Sequence, residues 1–154
     1  MLNILDNGWD MMIAHPPCTY LANSGVQHLH KHPERWSLMY DAATFFIKLL
    51  YAPICKIVVE NPIPHRYANL PPYTQIVEPW MFGEEFTKKT CLWVKGVLPL
   101  KKGKIVRKGE RYITRSGRRN GAKWFMLLPA SADRWKIRSR TFQGIANAMA
   151  AQWG

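Results

Sequence analysis

Two short apolar runs are each cut off by a proline-bearing polar segment. Met11-Met12-Ile13-Ala14 runs into His15-Pro16-Pro17-Cys18, and Lys56-Ile57-Val58-Val59 runs into Glu60-Asn61-Pro62. Apolar runs of this length, rich in β-branched residues in the second case and bounded by proline, read as buried strands. Between them, Pro33-Glu34 opens a helix that Pro53 stops. Within it Trp36, Met39, Tyr40, Ala43, Phe46, Ile47 and Leu50 recur at spacings of three and four, one apolar face that reads as core. Strand, long connection with a helix, strand makes a parallel pair with a right-handed crossover. Parallel strands end at the same edge of a sheet, so Cys18 and Glu60 are expected at one edge, where open α/β sheets bind ligands.

The remaining segments complete an α/β expectation. The first strand is drawn over residues 9–14, after a turn at Asp6-Asn7-Gly8, and residues 15–33 form a loop. Residues 63–79 are proline-rich and read as irregular. A third strand covers Cys91-Leu92-Trp93-Val94, with Cys91 a packed core thiol. Phe142, Ile145, Met149 and Trp153 mark a terminal amphipathic helix expected to pack on the sheet. The expected sheet therefore joins residues 10–14, 56–60 and 91–95 between helices near 34–51 and 142–152. A length of 154 residues suits one domain with a real core.

Charge narrows the choice of partner. The formal net charge is +12, and residues 95–140 hold fifteen Lys/Arg against Glu110 and Asp133. Tyr112, Trp124, Phe125 and Trp135 interleave with the cations, a composition suited to a phosphate backbone and stacked bases. A nucleic acid is expected before a membrane, since no cationic amphipathic helix is evident. No run of about 18 apolar residues predicts a transmembrane helix. No signal peptide is visible. Three cysteines without CxxC spacing argue against a disulfide framework or zinc ribbon and for a reducing cytoplasm. His28, His30 and His32 would share a face if extended, but no carboxylate or cysteine completes a metal pattern. They are read as loop histidines or phosphate contacts, and no metal is assigned.

Taken in order, the motifs resemble the cytosine-5 DNA methyltransferases, particularly compact phage and prophage forms. Pro16-Pro17-Cys18 with Asn23-Ser24-Gly25 is similar to the family's nucleophile loop. Glu60-Asn61-Pro62 stands where the family has Glu-Asn-Val. Phe82-Gly83 before Lys88-Lys89 matches its aromatic-glycine and basic cluster. Gly144 followed by Ile145-Ala146-Asn147-Ala148-Met149-Ala150 matches its closing glycine and alanine-rich helix. The likeness covers residues 9–154. Each motif alone is unspecific; the ordered set is fairly specific. The exocyclic-amine methyltransferases also carry a strand-end Pro-Pro, but with Asp, Asn or Ser before it and an aromatic after, where this chain has His15 and Cys18.

The resemblance implies a partial Rossmann-like methyltransferase sheet with flanking helices and a short basic recognition segment. Residues 1–94 would be the catalytic half, 95–140 a basic nucleic-acid-binding insertion and 141–154 the closing helix. Cys18 would add to C6 of a flipped cytosine, Glu60 would hold N3 and donate a proton, and Asn61 would brace the loop. Lys88, Lys89, Arg115, Arg118 and Arg119 would contact DNA. His15, Pro16 and Asn147 would border S-adenosylmethionine. The family's Gly-rich loop and ribose-binding acid have no counterpart in the sequence, so the cofactor half is expected to be absent or supplied by a second chain. The alternative is a non-catalytic, methyltransferase-derived nucleic-acid-binding protein.

Overall fold

In the computed structural model the structure describes residues 2–26, 28–117 and 119–154. In chain order the elements are β1 (Met11–Ala14), α1 (Asn23–Val26), α2 (Arg35–Leu50), β2 (Lys56–Pro62), β3 (Gln75–Val77), β4 (Thr90–Lys95), β5 (Arg111–Ile113), β6 (Arg119–Ala122), α3 (Lys123–Met126), α4 (Arg134–Ser139) and α5 (Gln143–Trp153). Single 3-10 turns cover Leu2–Asp6, Arg66–Ala68 and Pro79–Phe82. The chain divides into two compact units, Met1–Ile76 with Lys89–Pro99, and Val77–Lys88 with Leu100–Gly154. These bounds do not coincide with the ranges 1–94, 95–140 and 141–154. None of the helices among the described residues is long and apolar enough to cross a membrane.

The fold is mixed α/β, built on a four-stranded mixed sheet of order β1-β2-β4-β3. β1 and β2 run parallel, with Ala14 opposite Val59. β4 runs antiparallel to β2, with Asn61 opposite Cys91 and Val59 opposite Trp93. Alternation along a strand then sorts the side chains. Met12, Ala14, Ile57, Val59, Asn61, Cys91 and Trp93 share one face; Ile13, Val58, Glu60 and Leu92 share the other. The first set joins Phe46, Leu49, Leu50, Leu21 and Leu29 in the core of this unit. Phe46 packs edge-on to Trp93, ring centroids 4.8 Å apart. Full burial of a side chain of this size contributes roughly 1.5–3 kcal/mol.

Five expectations are corrected. β1 begins at Met11, because the Trp9 indole instead donates to the Ile4 carbonyl at 2.7 Å. β1 is an edge strand and only half-buried, with Ile13 on the surface. The loop after β1 contains α1, and residues 63–79 contain a 3-10 turn and β3. The α2 stripe is not all core: Met39, Phe46 and Leu50 are buried, but Trp36 is 38% and Tyr40 73% exposed.

The second unit is tied together by backbone approach. The Gly144 N–H donates to Glu84 Oε2 at 2.9 Å. A Cβ on Gly144 would sit 2.1 Å from the Phe82 carbonyl oxygen, so only glycine lets α5 lie against Pro79–Phe82. Gly83 ends that turn at φ 94°, a conformation glycine adopts without strain. Two segments the sequence singled out, Phe82-Gly83 and Gly144, are thus in contact. Residues 95–140 are not a bare basic loop. They carry the β5–β6 hairpin, α3 and α4.

Candidate active site

The loop after β1 is held by hydrogen bonds and close packing within the first unit. The Cys18 carbonyl accepts from the Leu21 and Ala22 N–H groups at 3.1 and 3.0 Å, closing a turn directly behind the Pro-Pro pair. Pro16 and Pro17 supply no N–H and fix φ, so the loop leaves the strand along a set path. Gly25 stands where a Cβ would lie 1.8 Å from the Thr19 carbonyl oxygen. The spacing from Cys18 to Gly25 is therefore a packing requirement: α1 can lie over the loop only through a glycine.

The loop after β2 is fastened to it. The His65 N–H donates to the Leu21 carbonyl at 2.7 Å, and Ala22 pairs with Pro64. Asn61 braces both loops from inside: its Nδ2 donates to the Pro16 carbonyl at 2.9 Å, and the side chain is fully buried. Its Oδ1 is buried with no hydrogen-bond partner among the described residues. Glu60, the preceding residue, points to the opposite face of the sheet and stays 19% exposed. Its Oε2 lies 2.9 Å from His15 Nδ1, and His15 is itself 45% exposed. Among the described residues His15 is the hydrogen-bond partner of this carboxylate, which leaves Oε1 available.

Position and burial separate the three cysteines. Cys91 is fully buried, and its thiol is pushed up to about 11, first by burial and then by the charge of Glu60, against a smaller opposing effect of Lys89. A thiol so raised is protonated at neutral pH and is a poor nucleophile. Cys55 is exposed but precedes β2, at the end of the strand away from Glu60. Cys18, partly exposed, follows β1 at the sheet edge where β2 ends.

The residues assigned to S-adenosylmethionine each hold a partner within the chain. The Nδ1 of His15 is engaged by Glu60, and Pro16 has no N–H and gives its carbonyl to Asn61. The Oδ1 of Asn147 accepts from Gln143 at 2.7 Å.

The residues assigned to DNA are spread over both units. Lys89 belongs to the first. Lys88, in the second, donates to the Arg140 carbonyl at 3.1 Å and lies 5.6 Å from the Phe142 ring centroid. Arg115 is exposed in the turn joining β5 to β6, Arg119 begins β6, and Arg118 lies outside the described residues. A groove of about 830 Å³ opens beside this hairpin, lined by Phe86, Arg107, Lys108, Lys123 and Trp124 among others. Two aromatics of the basic segment, Trp124 and Phe125, have ring partners, while the side chain of Trp135 lies outside the described residues. Trp124 packs on Phe125, Phe86 and Phe142 at centroid distances of 5.4–5.7 Å, and Arg138 covers the Phe125 ring at 4.0 Å. They form a half-buried cluster with cations over its rings. Residues 28–31 form turns and the His32 N–H donates to the His28 carbonyl, so His28, His30 and His32 do not share an extended face. The pairing of His15 with Glu60 was missed; its signal is the parallel register, which sets the residue after Ala14 beside the residue after Val59.

Compared with known proteins, the chain matches no family, no curated protein and no solved structure.

Proposed function

We propose that this chain is a DNA cytosine-5 methyltransferase-like protein whose own residues carry out the base-activating step. The observation that supports it is the meeting of the Cys18 loop with Glu60 and Asn61 at one sheet edge, through the Asn61–Pro16 and Glu60–His15 hydrogen bonds. Cytosine C5 is a weak nucleophile. When the Cys18 thiolate forms a bond to C6, the C5–C6 π bond breaks and its electron pair makes C5 nucleophilic. Negative charge passes toward N3, where a proton from Glu60 neutralises it. His15, half exposed and bonded to Glu60 Oε2, returns a proton to Glu60 from solvent. Unstacking the base costs a few kcal/mol, which cationic contacts to phosphate offset. On this reading the cofactor half is absent or supplied by a second chain.

The engagement of His15 and Asn147 by other residues favours a second reading, a non-catalytic nucleic-acid-binding protein. Covalent trapping decides between them. The C6 of 5-azacytosine is electrophilic enough to capture a thiolate without methyl transfer. A 5-azacytosine oligonucleotide is expected to form an adduct with the chain that Cys18→Ser abolishes and that Glu60→Gln slows by about 100-fold or more. DNA binding without any adduct supports the non-catalytic reading.

A further inference from the structure

The half of the α2 stripe that faces water does not stand alone. Trp36, Tyr40, Ala43 and Ile47 line a groove of about 490 Å³ whose other wall is the 3-10 turn carrying Tyr67 and Asn69. Along α2 this wall runs roughly 16 Å at 1.5 Å per residue. Trp36 and Tyr67 lie 5.5 Å apart, and His65 meets Tyr67 at 4.5 Å. His30 closes the cluster edge-on to Trp36 at 5.9 Å. The rings remain accessible: Trp36 is 38%, Tyr67 39% and Tyr40 73% exposed. Cations border them. Arg66 lies 5.3 Å from the Tyr67 centroid and Arg35 covers Tyr20 at 4.8 Å. The nearby acid Glu34 faces His32 at 3.4 Å.

We infer that this groove is a stacking platform for unpaired nucleic-acid bases, so that the strand presented to the candidate site is single-stranded or locally opened. Three observations carry it. Aromatic faces next to arginines in a chain of net charge +12 suit bases on a phosphate backbone. Trp124 and Phe125 of the basic segment engage one another and neighbouring rings, whereas Trp36, Tyr67 and Tyr40 stay 38%, 39% and 73% exposed. The platform is also continuous with the candidate site, because His65 is bonded to Leu21 in the Cys18 loop and lies five residues beyond Glu60. The inference rests on the nucleic-acid part of the proposed function and narrows it to unpaired strands.

The test uses the full chain carrying Cys18→Ser and fluorescent strands without cytosine, at one ionic strength, so its outcome does not depend on catalysis. The probes are oligothymidylate, a strand of equal length made of abasic residues, and an oligothymidylate–oligoadenylate duplex. Oligothymidylate is expected to bind at least about tenfold more tightly than either of the others, the size of one good base–aromatic stack. Tyr67→Ala and Tyr40→Ala are each expected to weaken oligothymidylate about fivefold or more and to leave the abasic strand unchanged, while Tyr67→Phe retains affinity. Tyr40 is so exposed that its replacement carries little folding cost, and the abasic comparison needs no variant. Equal binding of thymidine and abasic strands, or equal loss of both in the variants, overturns the inference. So does a concentration-dependent dimer that Tyr40→Ala abolishes, which would assign the groove to a second copy. Base-dependent binding without 5-azacytosine trapping would keep the platform and remove the catalytic reading; trapping without base-dependent binding would do the reverse.

Discussion

At the residue scale the account depends on which cysteine can ionise. Cys91 lies across the strand pair from Asn61, and burial together with the Glu60 charge raises its thiol from 9.0 to about 11. Between those values the unfolded chain releases this proton and the folded chain holds it. Stability from this group is complete below about pH 9 and is lost as pH rises toward 11. The loss has a limiting slope of about 1.4 kcal/mol per pH unit. Chemical denaturation of the wild type and Cys91→Ala across that window should therefore converge, the wild type losing stability relative to the variant. At pH 8 an alkylating reagent should modify Cys18 and Cys55 and spare Cys91; rapid Cys91 labelling in the folded protein would refute its assignment as a core thiol. That much was legible in the sequence, because Cys91 stands inside an apolar run. The partnership of His15 with Glu60 was not, since a contact across 45 residues follows from register and not from composition.

At the element scale, glycines set how closely elements approach. Gly25→Ala places a methyl group against the Thr19 backbone, which cannot move without disturbing the Cys18 turn. A loss of about 1–3 kcal/mol in unfolding free energy is expected, as for overpacking. A denaturation midpoint equal to wild type would show that α1 does not hold the loop. The β5–β6 hairpin makes a different prediction. Charge reversal at Arg115, Arg118 and Arg119 together should weaken duplex binding for all sequences alike and flatten its dependence on salt, because phosphate contacts carry no sequence information. Unchanged affinity would place the phosphate contacts elsewhere. The strands and both long helices were readable from periodicity because each repeats its pattern over several residues. β3, β5 and α1 were not. Each spans three or four residues, too few for a period to register, and the context that forms them is tertiary. The α2 stripe misled for another reason: periodicity reports an apolar face, not whether anything covers it.

At the scale of the whole molecule, the motifs separated in sequence meet in pairs. The Cys18 loop meets Glu60-Asn61 in one unit, and Phe82-Gly83 meets Gly144 in the other. The order of motifs therefore reflects packing as well as chemistry, and the chemical claim needs a measurement that packing alone would not satisfy. The three cysteines fall on three tryptic peptides, residues 1–31, 49–56 and 90–95. Peptide mass mapping of the 5-azacytosine adduct should place the nucleotide on residues 1–31, at Cys18, and on neither of the others. An adduct on residues 49–56 or 90–95, or a strand that binds without becoming attached anywhere, would contradict the assignment of Cys18 as the nucleophile.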